Sequence, residues 1–308
     1  MQKWINLGPV LQIENSEAWM HSHVAVPTVE RIGPNSVRIY FCSRDKMNRS
    51  QIGYAEIDVS KPNEILSISK QAIFSFGKLG TFDDSGVTPT QILQIGDETY
   101  LYYVGWSQSK TVRFQLAVGV ARKVSENEFE RISEAPVLGR TKYDPYLVAT
   151  LSILRHAEND YSMWYISGDG WFARDGETFP LYNVKKAKSK NGLDWTSSKQ
   201  VAIDYKSGDE HAIAKPTVIF ENGIFKMWYS CKSHNYENYN LGYAESSDGN
   251  NWQRLDEKIH FDRDIGGFDE EMRAYPEVIN LQSGKYMFFN GNGYGRSGIG
   301  LAVLDEDL

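Results

Sequence analysis

The sequence predicts an all-β protein, a five-bladed β-propeller. Three observations carry that expectation: a repeat of about sixty-two residues, strand-like runs in the same order within each copy, and no long segment of helical period. Four prolines open similar stretches, at Pro27, Pro89, Pro216 and Pro276, and Ser152 holds the same place in a further copy. The five marks at 27, 89, 152, 216 and 276 lie 62, 63, 64 and 60 residues apart. Thirteen residues after each mark stands an aromatic: Tyr40, Tyr102, Tyr165, Tyr229 and Phe289. A chain of 308 residues suggests two domains by length alone. Five copies fill it, so residues 1–308 are expected to form a single domain.

Each copy begins with a short apolar or alternating run, such as residues 217–220, and a turn follows in which Gly or Asn supplies positive φ. The second run is aromatic, at 37–42, 99–104, 162–166, 225–231 and 285–290. The third is rich in small residues, at 52–56, 116–121, 183–187, 241–245 and 299–303, and a weaker fourth precedes the next copy. Four antiparallel strands per copy make a propeller blade, whose two faces both pack on neighbours. That use accounts for 8 Trp, 18 Tyr and 14 Phe. The fifth copy lacks a fourth run. The N-terminal segment 4–13 lies outside the first copy and is expected to supply that strand, completing the last blade and closing the ring.

Composition narrows the function. The chain is 41% hydrophobic, 24% charged and carries a net charge of −7, which excludes a disordered chain. The acidic balance argues against a nucleic-acid or membrane-surface partner. No apolar run approaches the roughly 20 residues of a membrane span. The first residues show no apolar leader, and Cys42 and Cys231 cannot build a disulfide framework, so a cytoplasmic protein with reduced thiols is expected. The Gly-rich segment 291–295 joins two strands and does not read as a nucleotide loop. No cofactor motif is present. His21 and His23 share a strand face but no third ligand is indicated, so no metal is expected.

Equivalent positions in a ring converge on one axis. Five residues before the marks stand Ser22, Asp84, Leu147, His211 and Glu271, and one residue before them Val26, Thr88, Leu151, Lys215 and Tyr275. The polar approaches, with His23, Asp83, Asp84, Glu210, His211, Lys215, Glu271, Arg273 and Tyr275, are expected to line one cavity. Asp84 and Glu271 are the candidate acid/base pair, with Glu210 in reserve. His23, His211, Lys215 and Arg273 point to an anionic group: a sugar acid, a phosphate-bearing sugar or free phosphate. Trp106, Trp171, Phe172, Tyr236, Tyr239 and Tyr294 are candidate sugar platforms, Trp171 first among them because it rides a long Gly-rich excursion at 168–176.

Two turns carry a further mark, Ser189 to Trp195 around Gly192 and Ser246 to Trp252 around Gly249. They resemble the S-x-D-G-x-x-W turns of carbohydrate-active propellers. With the five copies and the N-terminal strand, the chain resembles the five-bladed propeller superfamily of glycosidases, which includes families 43, 32, 68 and 130. It is a divergent member: family 43 enzymes place an Asp where this chain has Val26 and a Glu near Ala214 and Lys215, and the fructosidase motif is absent. The resemblance implies a glycoside hydrolase-like enzyme that cleaves a glycosidic bond with a carboxylate pair in the central funnel. A sugar phosphorylase using inorganic phosphate and a non-catalytic glycan-binding propeller are the alternatives. The expected partner is a carbohydrate or sugar conjugate.

Overall fold

The computed structural model describes residues 1–13, 17–206, 208–234 and 238–305. Strand β1 (Gln2–Leu11) precedes four sets of four strands. These are β2 (Ser22–Arg31), β3 (Ser36–Arg44), β4 (Ser50–Asp58) and β5 (Ile65–Ile68), then β6 (Gly86–Ile95), β7 (Glu98–Gln108), β8 (Phe114–Ser125) and β9 (Glu128–Arg131). Next come β10 (Val148–Ala157), β11 (Asp160–Arg174), β12 (Glu177–Ser189) and β13 (Thr196–Ile203). The fourth set is β14 (Glu210–Glu221), β15 (Ile224–Ser233), β16 (Asn240–Ser246) and β17 (Gln253–Arg254). A short β18 (Ile259–Phe261) leads to β19 (Ala274–Leu281), β20 (Gly284–Asn290) and β21 (Ile299–Leu304).

Within each unit the strands pair antiparallel in chain order. The last unit takes its fourth strand from the other end of the chain: β1 pairs antiparallel with β21, Trp4 opposite Leu304 and Leu11 opposite Ile299. The sequence did not foresee β18, which pairs parallel to β1 and covers its outer edge. The first strands of the units touch in the cycle β2, β6, β10, β14, β19 and back to β2. This is the arrangement of a propeller. Among the described residues no helix is long and apolar enough to cross a membrane.

Alternation along the second strands explains why both faces are apolar. Val37, Ile39 and Phe41 of β3 pack with Phe288, Leu301 and Leu11 of the last unit, while Tyr40 between them packs with Leu101 and Tyr103 of the second unit. Each such fully buried side chain contributes about 1.5–3 kcal/mol by leaving water.

The marked turns act as sockets between units. Ser246 Oγ accepts from Gly249 N–H at 2.9 Å, and Asp248 Oδ1 accepts from Asn250 N–H at 2.7 Å. The turn so tied offers the Gly249 carbonyl to Trp164 Nε1–H of the preceding unit at 3.1 Å, and Trp252 meets the Trp164 ring edge-on. Gly192 offers its carbonyl to the Tyr102 hydroxyl in the same way, one unit earlier.

Candidate functional site

The innermost strands share an irregularity at the marker prolines. Val26, Lys215 and Tyr275 each precede one, and each has a left-handed backbone, with φ of 55°, 48° and 56°. Each lies in a shift of strand register, between Ala25 and Thr28, Ala214 and Thr217, and Ala274 and Glu277. A proline has no N–H for the ladder, so the strand bulges there. Positive φ is costly for a β-branched Val, and neighbouring units hold it in place. The freed N–H groups donate across the joints: Val26 to Asn290 Oδ1 at 2.7 Å, Lys215 to Thr150 Oγ1 at 3.1 Å, and Tyr275 to Ser230 Oγ at 2.7 Å.

These bulges border a cavity of about 560 Å³. His23, Val26, Cys42 and Arg44 line it from the first unit, Thr88, Trp106, Arg113 and Phe114 from the second and its loops. Tyr182, Tyr239, Tyr275 and Tyr294 form an aromatic wall opposite in the chain. Tyr239 lies 5.6 Å from the Tyr275 ring and 5.9 Å, edge-on, from Tyr294. Its hydroxyl is hydrogen-bonded to that of Tyr182, and Lys232 Nζ donates to Tyr294 Oη at 2.8 Å. Trp106 is fixed by donating Nε1–H to Ser50 Oγ at 2.9 Å. A Cβ on Gly86 would stand 2.1 Å from that indole nitrogen, so only glycine admits the ring.

Burial favours the neutral forms of Tyr182, Tyr239, Tyr275 and Cys42. It raises the Tyr182 phenol to about 12, against the opposing effect of the Tyr239 hydrogen bond, and holds Tyr239 and Tyr275 well above the ordinary phenol range. It also raises the Cys42 thiol, which therefore stays protonated. His23 is lowered to about 4, first by burial and then by the nearby charges of Arg44 and Arg296, so its ring is neutral at pH 7.

The structure distributes the sequence-selected residues unevenly. His23, Tyr275, Trp106, Tyr239 and Tyr294 line the cavity. Trp171 does not line it but packs on Phe114, with ring centroids 5.5 Å apart. The carboxylates stand elsewhere. Asp84 accepts from Gly80 N–H and Ser85 Oγ–H in its own turn. Glu271 is exposed, and its backbone N–H donates to Asn292 Oδ1. Glu210 accepts from Arg254 with both oxygens, at 2.5 and 2.9 Å. Asp83 is buried against Arg131 at 2.8 Å. No Asp or Glu lines the cavity among the described residues.

Two expected cations are already neutralised. Lys215 is buried in an ion pair with Glu277, and Arg273 pairs with Asp264 and, at 2.8 Å, with Asp269. His211 lies in an aromatic cluster, stacked on His234 at 4.6 Å and edge-on to Phe172 at 5.3 Å, and is lowered to about 4 by burial and then by His234. Among the described residues its Nδ1 has no hydrogen-bond partner. Tyr236 lies outside the described residues. Among those residues no group of three or more His, Cys, Asp and Glu is placed to hold a metal ion.

Residues that sequence reading passed over are Arg44, Asn48, Arg113, Phe114, Tyr182 and Arg296. A signal for some of them existed. Ser22 pairs with Arg44, and Gly86 with Trp106, so the ends of the second strands reach the same mouth as the approaches to the first. The repeat aligns both sets.

Relatives extend across the whole chain. No protein-family model matches it. Two proteins of Mycobacterium tuberculosis do: “Uncharacterized protein MT1551” of strain CDC 1551 / Oshkosh and “Uncharacterized protein Rv1502” of strain ATCC 25618 / H37Rv. Each is 34% identical over 303 residues, 98% of this chain and 99% of the relative. The chain belongs to their family. Among solved structures, one named “Glycoside hydrolase” superposes with a TM-score of 0.72 at 15% identity, over 96% of this chain and 90% of that one. A thermostable family-43 glycoside hydrolase gives 0.65 at 14%, over 92% and 89%. A structure from work on GH130 mannoside phosphorylases and glycoside hydrolases that target beta-1,2 mannosidic linkages in Candida mannan gives 0.70 at 14%, over 97% and 92%. At such identities the likeness establishes the fold, and the family thus has the propeller fold of these glycosidases.

Proposed function

We propose that this chain, acting as a single domain, recognises a carbohydrate that carries an anionic group and binds it in the cavity between the innermost strands. One observation supports the reading above the others. The cavity combines a wall of Trp106 and four tyrosines with charged groups of one sign, Arg44 and Arg113, and no carboxylate among its described lining residues. The apolar face of a sugar ring packs on aromatic rings, and neutral phenols donate or accept hydrogen bonds with its hydroxyls. Guanidinium groups supply paired donors for a carboxylate or phosphate.

The geometry favours recognition over hydrolysis by a carboxylate pair. That reaction needs two carboxyls across the scissile bond, roughly 5 to 9.5 Å apart. None of Asp84, Glu210 and Glu271 is among the residues that line the cavity. The propeller glycosidases of like fold support a sugar ligand, and the divergence of this chain at Val26 and Lys215 agrees with a changed use of the funnel.

Calorimetric titration with a panel of neutral and uronic-acid oligosaccharides tests the proposal. Trp106→Ala should weaken the binding of any panel member that binds by about tenfold or more, as loss of a stacked aromatic anchor does. Unchanged affinity would remove the cavity as the sugar site. Turnover of a panel member by wild-type protein, lost in Glu271→Gln, would restore the hydrolase reading.

A further inference from the structure

The charges at one corner of the cavity do not balance. Arg113 has a partner, Glu177, at 3.3 Å. Arg44 donates to the neutral Asn48 Oδ1 at 3.1 Å. Among the described residues neither Arg44 nor Arg296 forms an ion pair. His23 and Arg44 line the cavity, and the turn that carries Arg296 packs against β2, where a Cβ on Gly295 would stand 2.5 Å from the Val24 carbonyl oxygen. Arg44 ends β3, His23 belongs to β2, and Arg296 lies in the turn between β20 and β21, so the corner is built where the first and last units meet. His23 itself is bonded through Nδ1 to Ser22 Oγ at 3.0 Å and has left-handed backbone, φ 64°. Two guanidiniums without a carboxylate partner among the described residues thus stand at the joint that carries His23. Lys215 and Arg273, by contrast, are each matched by carboxylates.

We infer that the anionic group of the ligand is a phosphoryl group, bound at the Arg44–Arg296–His23 corner. This rests on the reading that a carbohydrate occupies the cavity, and it selects among the anions that reading allows. A carboxylate brings one negative charge and leaves one guanidinium uncompensated. A phosphate monoester brings close to two above its second ionisation, at about pH 6, with three acceptor oxygens for the guanidinium forks. Those oxygens also match the imidazole nitrogen that Ser22 leaves unbound. The phosphoryl group is either an ester on the sugar or free phosphate beside it.

The test uses nuclear magnetic resonance of the full chain at about pH 8, where phosphate is doubly charged. The probes are inorganic phosphate, acetate, glucose 1-phosphate and glucuronate. Phosphate should bind saturably, at least about tenfold tighter than acetate, and shift the His23 ring resonances, as an anion bound beside the imidazole does. Arg44→Gln and Arg296→Gln should each weaken phosphate by about tenfold or more. Arg296 is exposed, so its replacement leaves the core intact. Tighter binding of glucose 1-phosphate than of phosphate identifies the ester as the source, and equal binding identifies the free ion. Acetate binding as tightly as phosphate, an unmoved His23, or no effect of either substitution overturns the inference. Glucuronate bound in the cavity with phosphate unbound removes the phosphoryl group and keeps the carbohydrate. Phosphate bound at the corner, with no saccharide of the panel bound, keeps the phosphoryl site and removes the carbohydrate.

Discussion

Asn290 of the last unit holds Val26 of the first. Its Oδ1 accepts from Val26 N–H at 2.7 Å, and its Nδ2 donates to the Val24 carbonyl, also at 2.7 Å, and to Gly298 at 3.0 Å. All of these atoms are buried, and they join the two ends of the chain beside the cavity. Asn290→Ala leaves at least two buried backbone groups unpaired, at about 1–3 kcal/mol each. A loss of about 3 kcal/mol in urea unfolding is expected. A loss below about 1 kcal/mol would mean that the joint is held by packing alone.

Lys215 and Glu277 form a buried pair between the fourth and fifth units, and Thr217 Oγ–H also donates to Glu277 at 3.2 Å. Glu277→Leu strands the ammonium and should cost about 3–5 kcal/mol. Adding Lys215→Met should recover most of it, since a pair replaced by apolar groups is often near neutral. Chemical unfolding of the two variants decides this. Equal stability of the single and double variants would show that Lys215 is not stabilised through Glu277.

His211 adds a pH dependence whose sign follows from its environment. Burial first, and then His234, lower its pKa from 6.5 to about 4. The unfolded chain therefore binds more protons between these values, so stability is full above about pH 6.5 and falls as pH drops towards 4. His23, lowered to a similar value, acts in the same direction. His211→Phe keeps the stack with His234 and Phe172 and should flatten the urea midpoint over that window. An unaltered slope would assign the dependence to other groups.

Asp84→Asn and Glu271→Gln should each leave ligand affinity within about twofold, as substitutions away from buried networks do. The reason is placement, since Asp84 serves its own turn and Glu271 is exposed. A tenfold loss in either, measured by calorimetry, would return the carboxylates to the site.

Much of the molecule was legible in the chain. The spacing of Pro27, Pro89, Pro216 and Pro276 and the aromatics thirteen residues later identified the units, because each copy must repeat the same alternation to bury two faces. The approach positions led to His23 and Tyr275, and the loops to Trp106, Tyr239 and Tyr294, all of which line the cavity. The sequence determined the strand runs of each copy and their order, since these depend on local pattern and period. Tertiary structure alone decided which charges remain available there. Lys215 meets Glu277, Glu210 meets Arg254, and Arg273 meets Asp264 and Asp269, whereas Arg44 and Arg296 meet no carboxylate among the described residues. The strength of a charge pair varies with separation over a few ångströms and with burial. Residues such as Lys215 and Glu277, 62 apart in the chain, acquire that separation only when the units close around one centre.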